Sequence, residues 1–218
     1  MLKLHGARIS NFYCMVKQVL IEKGIAFEEV ETMPNQEPAF LAKSPMGKVP
    51  ALETEHGFLT ETNVIFDYLE DVQPTPALYP NDAFARARCR QIVKMIELYV
   101  EGPAHALLPA LFGQSVADFQ RDSSRPMMQR GLAALRQLVK FSPWVCGEQY
   151  TFADIFLYRS LGVITITAEK LYDWEVLAEL PGIKDWQARV AQRAVTQTVD
   201  AENQAALAVF MQQFNNAK

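Results

Sequence analysis

Two prolines, Pro74 and Pro76, separate two parts of the chain that have different sequence patterns. Proline interrupts a helix because it lacks the backbone N–H and its ring clashes with the preceding turn, so residues 72–76 predict a short linker. The charge balance changes at the same place. Residues 1–78 hold 6 basic and 11 acidic side chains (net −5), whereas residues 79–218 hold 15 and 14 (net +1). We therefore expect two domains, 1–78 and 79–218.

The first domain mixes strand and helix periodicities. Alternation of apolar and polar residues over 1–5 and 25–31 predicts strands, and apolar residues at helical spacing over 13–20 predict a helix between them. Residues 49–59 have the pattern of a hairpin, and residues 64–69 form a second helical stripe. The order βαβ, a short helical loop, then ββα predicts a small α/β domain.

The second domain shows helical spacing only. Residues 155–166 are apolar almost all round, which predicts a helix buried at the centre of an all-α bundle. Thr151 and Asp154 stand at the start of this helix with the spacing of a capping box, in which each side chain bonds to the other residue's backbone. We expect this pair to be structural.

Composition excludes several classes of protein. Half of the residues are apolar and 21% are charged, and the net charge of −4 contains no block of like charge, so we expect no nucleic-acid partner. No window offers 18 apolar residues, so we expect no membrane segment and a cytoplasmic protein. The three cysteines and three histidines are scattered along the chain, which predicts neither a disulfide framework nor a metal site.

The segment 44–52, Ser-Pro-Met-Gly-Lys-Val-Pro-Ala-Leu, allows two interpretations. A proline that opens a strand after a glycine turn is a candidate for a cis peptide. A cis Val49–Pro50 bond would turn the Val49 N–H and C=O outward, where an extended peptide ligand could pair with them as an added strand does. The alternative is a plain turn from loop to strand.

Two predicted helix starts carry polar side chains. Ser10 and Asn11 open the first helix, where a hydroxyl, an amide and helix N–H groups would stabilise a thiolate. Glu61 and Thr62 open the second helical stripe. There the N–H groups favour an anion and the carboxylate favours an ammonium, as at the zwitterionic end of an amino acid. The alternative for both pairs is a purely structural N-cap.

Three further side chains carry reactive or polar groups. Cys14 lies inside the first helix and is expected to be a small buried residue. Tyr13 begins the apolar stripe of that helix but could lean toward the Ser10 site. His105 follows Pro103 on a helix that could border a cleft, although a lone histidine is more often structural.

Taken in order along the chain, these signals resemble the glutathione S-transferase family, and the resemblance covers the whole chain. The segments that carry it are 10–25, 44–52, 59–62, 78–80, 151–154 and 180–186. The resemblance implies a thioredoxin-like α/β N-terminal domain plus an all-α C-terminal helical bundle. It also implies a symmetric homodimer.

The resemblance assigns roles to particular residues. Ser10 matches the hydroxyl that activates the glutathione thiol, and Asn11 could share that role. The other glutathione contacts that the resemblance implies are Gln36 (or Asn35) at the glycine end, Lys48, Val49 and Pro50 at the cysteinyl unit, and Glu61 and Thr62 at the γ-glutamyl end. An apolar electrophile is expected between the domains, near Ser10, Tyr13, Tyr99 and His105.

Two positions depart from the family's pattern. Met15 occupies a position that is often basic, although Lys17 follows two residues later. Position 10 is a serine where omega-like members carry a cysteine, and Cys14 does not align with that cysteine. The second departure weakens a dithiol or mixed-disulfide chemistry.

The leading hypothesis is a cytoplasmic detoxification enzyme, a glutathione transferase with glutathione as its co-substrate and no metal. One alternative is a glutathione-dependent disulfide reductase, peroxidase or isomerase. Another is a non-catalytic interaction protein that has kept the fold. The identity of the second substrate stays open.

Overall fold

The first unit of the chain is built on a four-stranded sheet; a computed structural model describes residues 1–216. The strands are β1 (Leu2–Gly6), β2 (Phe27–Glu31), β3 (Ala51–Thr54) and β4 (Gly57–Leu59), in the order β2-β1-β3-β4. Strand β1 pairs in parallel with β2 and antiparallel with β3, and β4 pairs antiparallel with β3. A parallel pair needs a crossover connection, which a helix supplies here.

Three helices of the first unit accompany this sheet. They are α1 (Asn11–Glu22), which is the crossover, the short α2 (Pro38–Leu41) and α3 (Thr62–Val72). Helices α1 and α3 contact each other. Of the side chains that the sequence pattern assigned to their apolar faces, Val16, Leu20, Ile65 and Leu69 are fully buried, whereas Val64 is 49% exposed. The prediction of a thioredoxin-like α/β domain is confirmed.

The second unit, residues 78–190, is helical. Its elements are α4 (Ala83–Ile96), a π-helical turn (Glu97–Glu101), α5 (Gly102–His105), α6 (Leu108–Leu111), α7 (Asp118–Leu138), α8 (Phe152–Tyr172), a 3-10 turn (Val176–Glu179) and α9 (Ile183–Ala191). Helix α8 contributes the largest share of the core, since Phe152, Ile155 and Phe156 are fully buried. The prediction of a helical bundle is confirmed, but the expected burial of residues 155–166 holds only for the first half of α8, since Gly162 and Ile166 are exposed.

The start of α8 depends on one buried carboxylate. Asp154 accepts hydrogen bonds from the Thr151 N–H at 2.9 Å and the Thr151 hydroxyl at 3.0 Å. It also accepts from the Val145 N–H and from the indole N–H of Trp186, both at 2.8 Å. The expected capping box is present, and Asp154 additionally ties α8 to the preceding loop and to α9.

The last helix, α10 (Ala194–Asn216), belongs with the first unit. The sequence grouped residues 79–218 as one domain, but the chain from Ala191 onward packs with residues 1–77. The contact is made on α1, where Gln18 donates to the Thr196 hydroxyl at 3.0 Å. Thr196 and Val199 of α10 are buried, whereas apolar residues farther along the helix, such as Leu207 and Met211, are 39% and 42% exposed.

Candidate functional site

Ser10 lies in the connection from β1 to α1, where a tight turn places it at the helix start. The Ser10 N–H donates to the Ala7 carbonyl at 2.9 Å, and the Ser10 hydroxyl oxygen accepts from the Tyr13 N–H at 3.3 Å. Ser10 is therefore a true N-cap, as one of the two interpretations of this pair required. Its hydroxyl hydrogen has no acceptor among residues 1–216, so it is able to donate to a ligand atom.

The N-terminus of α1 adds a favourable field for an anion at the same place. The first turn of the helix reads Asn-Phe-Tyr-Cys, with Asn11 first, and carries no carboxylate. A helix N-terminus carries a partial positive charge, which favours a negative group close to it. A thiolate beside Ser10 would receive both this field and a hydrogen bond.

Val49 presents backbone groups without partners in the described part of the chain. The preceding turn is closed by Ser44, whose hydroxyl donates to the Lys48 carbonyl at 2.7 Å and accepts from the Lys48 N–H at 3.2 Å. The Val49–Pro50 peptide is cis, as expected. Pairing between β1 and β3 ends at Ala51, and neither the N–H nor the C=O of Val49 bonds to another of residues 1–216. Both groups are available to an extended ligand.

The loop of residues 32–37 is attached to this turn at Gly47. The Asn35 N–H donates to the Gly47 carbonyl at 3.1 Å, and the Gln36 side chain donates to the Met46 carbonyl at 3.3 Å. Gly47 has a φ of 63°, and a Cβ there would lie 2.1 Å from the Asn35 carbonyl oxygen. Only glycine permits this approach. Gln36 and Lys48 are exposed, so an amide and a cation flank Val49 along the chain.

Glu61 and Thr62 form the start of α3 with an uncommon backbone geometry. Glu61 has a φ of 65°, in the left-handed region that residues with a Cβ avoid, and its side chain does not cap the helix. Such conformations concentrate at functional sites. Thr62 is 4% exposed, and its hydroxyl has no hydrogen-bond partner among the described residues. The exposed Glu61 carboxylate and the open N-terminus of α3 can therefore receive a cation and an anion.

Strand register brings these three features to one end of the sheet. His5 near the end of β1 pairs with Ala51 at the start of β3, and Leu52 pairs with Leu59 at the end of β4. The chain therefore leaves β1 toward Ser10, enters β3 from Val49 and leaves β4 toward Glu61, all at the same end of the sheet.

Of the three residues expected at the electrophile site, Tyr13 is buried, whereas Tyr99 and His105 are partly exposed. Tyr13 is 1% exposed, and its hydroxyl donates to Glu29 at 2.6 Å. Burial, together with this hydrogen bond, raises the pKa of Tyr13 far above its ordinary value. The side chain belongs to the core of the first unit, so we leave Tyr13 out of the electrophile site. The structure supports the interpretation of Tyr13 as part of the apolar stripe.

Tyr99 and His105 lie in the second unit and are partly exposed. Tyr99 is 40% exposed on the π-helical turn. A ring nitrogen of His105, Nδ1, lies 2.8 Å from the carboxylate of Glu101, whose side chain is 2% exposed while that of His105 is 44% exposed. His105 is thus oriented by a buried carboxylate, a partner that the sequence analysis missed. Its spacing of four residues on a helical stretch is the signal that could have revealed it.

An ionic cluster beside the Ser10 turn also escaped the sequence analysis. It consists of Arg8, Lys17, Glu29 and Glu202. Burial alone would raise the pKa of Glu29, but hydrogen bonds from Arg8, Lys17 and Tyr13 lower it to about 2. One available signal was Lys17, which follows Tyr13 by one helical turn on a face that the apolar pattern assigns to the core.

Residues 1–216 hold neither a metal-binding group of side chains nor a helix suited to a membrane. No three or more His, Cys, Asp and Glu side chains in this range are grouped so that they could hold a metal ion. No helix in the same range is both long enough and apolar enough to cross a membrane.

Family models and a full-length relative match this chain. The model described as glutathione S-transferase, N-terminal domain, matches residues 4–77, and the model for the C-terminal domain matches residues 104–194. The chain is 40% identical over 219 residues to a glutathione S-transferase of Pseudomonas putida, with 100% of both chains covered. It is 32% identical over 130 residues to a maleylacetoacetate isomerase of Pseudomonas aeruginosa, which covers 58% of this chain and 61% of the other.

The fold also matches solved structures. One is a glutathione transferase homologue from Sulfitobacter with bound glutathione, at a TM-score of 0.73 and 22% identity. The match covers 93% of this chain and 98% of the other. At this level of identity the likeness shows a common fold.

Proposed function

This chain belongs to the glutathione S-transferase family, and from that premise we propose that it transfers glutathione to an apolar electrophile. The observation that carries the proposal is the strand register, by which Ser10, Val49 and the Glu61–Thr62 pair lie at the same end of the sheet. A tripeptide with a zwitterionic end, a central amide pair and a thiol needs three such features close together.

The proposed binding mode uses one contact type for each part of glutathione. The γ-glutamyl carboxylate binds at the N-terminus of α3 with the Thr62 hydroxyl, and its ammonium binds the Glu61 carboxylate. The cysteinyl backbone pairs with the N–H and C=O of Val49 in the manner of an added strand. The glycine carboxylate is placed near Gln36 and Lys48, whose amide and ammonium complement its charge.

The proposed chemistry needs a thiolate and little else, because the thiolate is itself the nucleophile. The Ser10 hydroxyl donates to the sulfur, and the α1 N-terminus, with Asn11 as its first residue, stabilises the negative charge. The thiol proton passes to solvent. The sulfur then bonds to the electrophilic carbon, and the displaced group leaves with its electron pair. Tyr99 and His105 stay candidates for contacts with the electrophile.

Glutathione-dependent isomerisation is the second candidate function. The match to a maleylacetoacetate isomerase of Pseudomonas aeruginosa supports it, although that match covers only 58% of this chain. A dithiol reductase has less support. Cys14 is 2% exposed and its thiol donates to the Arg8 carbonyl at 3.3 Å, so it offers no second thiol at the surface beside Ser10. A non-catalytic protein that does not bind glutathione also has less support, because the backbone groups of Val49 and the hydroxyl of Thr62 are open to a ligand.

The test combines glutathione calorimetry with kinetics on a chloro-nitroaromatic acceptor. We expect Ser10→Ala to lower kcat/KM by on the order of 100-fold, at the low end of what the loss of one hydrogen-bond donor to a reacting anion costs. Ser10→Thr, which keeps a hydroxyl, is the matched control. Unchanged activity in the double variant Ser10→Ala/Asn11→Ala contradicts the role assigned to this helix start. Absence of glutathione binding at millimolar concentration favours the non-catalytic alternative.

We further propose a cytoplasmic homodimer, as the family resemblance implies. The net charge of −5 on residues 1–78 and a set of arginines in the later part of the chain offer complementary charge for a two-fold contact between copies. Those arginines are Arg86, Arg88, Arg90 and Arg130. Light scattering should give twice the chain mass of 24.6 kDa, and a mass near 24.6 kDa at micromolar concentration contradicts the dimer.

A further inference from the structure

Helix α10 lies almost entirely outside the segments that the family models match, yet it packs beside the Ser10 turn. The two family models match residues 4–77 and 104–194, so α10, which begins at Ala194, lies beyond them except for its first residue. The helix nevertheless belongs with the first unit and contacts α1. Its middle carries two polar residues, Glu202 and Asn203, that reach the loop before Ser10.

Asn203 binds the backbone of that loop. The turn from Ala7 to Ser10 has Arg8 as its second residue. The Arg8 carbonyl accepts a hydrogen bond from the Asn203 side-chain amide at 2.5 Å and a weaker one from the Cys14 thiol at 3.3 Å. A loop backbone that bonds side chains from two different helices has little freedom to shift.

Glu202 acts on the side chain of the same residue. The Arg8 guanidinium binds both oxygens of Glu29, at 2.9 and 3.1 Å, and lies 3.6 Å from Glu202. The Lys17 ammonium bonds to Glu29 at 2.8 Å and also to Glu202. Two cations and two carboxylates therefore form a neutral group, in which the Lys17 side chain is only 4% exposed. A buried cation needs such carboxylates, so loss of Glu202 leaves one positive charge in excess.

We propose that α10 is a clamp on the Ser10 turn, with Glu202 and Asn203 as positioning residues that act through Arg8. The inference rests on the proposed function of Ser10. Without Glu202 and Asn203, Arg8 is held by Glu29 and is otherwise solvated. The turn from Ala7 to Ser10, which contains Arg8, then shifts as well. A displacement of about 1 Å at a reacting group is enough to cost up to 100-fold in rate.

The other end of the α1–α10 contact supplies a matched control. There Arg193, just before α10, binds both oxygens of Glu22 at 2.8 and 3.2 Å. Glu22 is the last residue of α1 and lies far along the chain from the Ser10 turn. Removing this pair loosens α10 without touching Arg8.

The experiment compares Glu202→Gln/Asn203→Ala with Arg193→Met in the full chain, at a temperature where circular dichroism shows both to be folded. Three readouts are used: hydrogen exchange of residues 8–11, the ultraviolet thiolate absorbance per glutathione bound, and kcat/KM. We expect faster exchange, a smaller thiolate signal and a fall of about tenfold in kcat/KM only in the first variant. Calorimetry should give glutathione affinities within about threefold of wild type for both, because Val49, Glu61 and Thr62 are untouched.

The outcomes separate the clamp from the proposed function. Equal exchange and equal thiolate signal in the two variants overturn the clamp, and so does faster exchange with unchanged kcat/KM. Two single variants that keep Glu202 give a further test. A thiolate signal near wild type in Asn203→Gln, together with a reduced signal in Asn203→Ala, supports the clamp. A wild-type protein that fails to bind glutathione overturns the proposed function first, and the positioning role falls with it.

Discussion

The ammonium of Lys23 lies 2.6 Å from the Glu70 carboxylate, and its side chain is completely buried. Lys23 follows the last residue of α1, and Glu70 belongs to the last part of α3. The same ammonium donates to the carbonyls of Gln73 at 2.7 Å and Pro76 at 3.0 Å, both in the linker that follows α3. One buried lysine thus connects the end of α1 with α3 and with the linker that follows α3.

We expect Lys23→Met to destabilise the protein by about 3–5 kcal/mol, because it removes the ammonium that balances the charge of the buried Glu70 carboxylate. The measurement is urea unfolding followed by circular dichroism. The double variant Lys23→Met/Glu70→Leu should recover part of the loss, since it removes the unbalanced buried charge as well. A single variant within about 1 kcal/mol of wild type would show that the pair contributes no more than a surface ion pair.

Gly47→Ala should weaken glutathione binding more than it weakens the fold. A Cβ at Gly47 meets the Asn35 carbonyl and the Gln36 amide, whereas Gly24, with a similar φ of 65°, has nothing within 4 Å. Both alanine variants adopt a left-handed conformation at a cost of about 1–2 kcal/mol. Only Gly47→Ala also displaces the loop beside Val49, so calorimetry should show a loss of about fivefold or more in affinity for that variant alone. Equal affinities in the two variants contradict the assigned binding mode.

Acid should unfold the protein partly through Glu29. Its pKa is lowered from an ordinary 4.5 to about 2 in the folded state, so the folded state binds fewer protons in this interval. The stabilisation is complete above about pH 4.5 and is lost as the pH falls toward 2. Because Glu29 is 28% exposed, solvent screening reduces the contribution to roughly 1–3 kcal/mol. Glu29→Gln should flatten the dependence of unfolding free energy on pH in this window; parallel curves for the two proteins contradict the assignment.

The parts of the fold that follow local rules could be predicted from the sequence. Ser10 and Thr151 were recognised as helix starts because a cap depends on residues three positions away. Val49 and Pro50 were recognised because a proline at a strand start has few permitted geometries. The α/β order of the first unit followed from periodicity alone.

The parts that depend on distant residues could not. The cluster around Arg8 joins positions 8, 17, 29 and 202, and no local pattern specifies such a pairing. The same holds for the packing of α10 on α1, since the hydrogen bond between Gln18 and Thr196 joins residues far apart in the chain. Tyr13 left two interpretations open, since an aromatic residue with a hydroxyl fits both a core stripe and a site. Its contact with Glu29 across 16 residues is what decides between them.

Asp154→Ala should cost stability and leave glutathione binding intact. The carboxylate accepts from three buried donors besides its cap partner's hydroxyl: the N–H groups of Val145 and Thr151 and the indole of Trp186. Loss of a cap alone costs about 1 kcal/mol. Each further buried donor without a partner adds about 1–3 kcal/mol, so the total should exceed about 3 kcal/mol.

The matched variant Asp154→Asn separates charge from hydrogen bonding in this prediction. The amide keeps one acceptor oxygen but turns an N–H₂ group toward donors, so its stability should fall between wild type and alanine. Thermal unfolding orders the three proteins, and calorimetry at low temperature measures the glutathione affinity of the folded fraction, which should stay near wild type. The opposite pattern, unchanged melting with lost binding or activity, would mean that Asp154 is a site residue and not the hub that joins α8 to Val145 and Trp186.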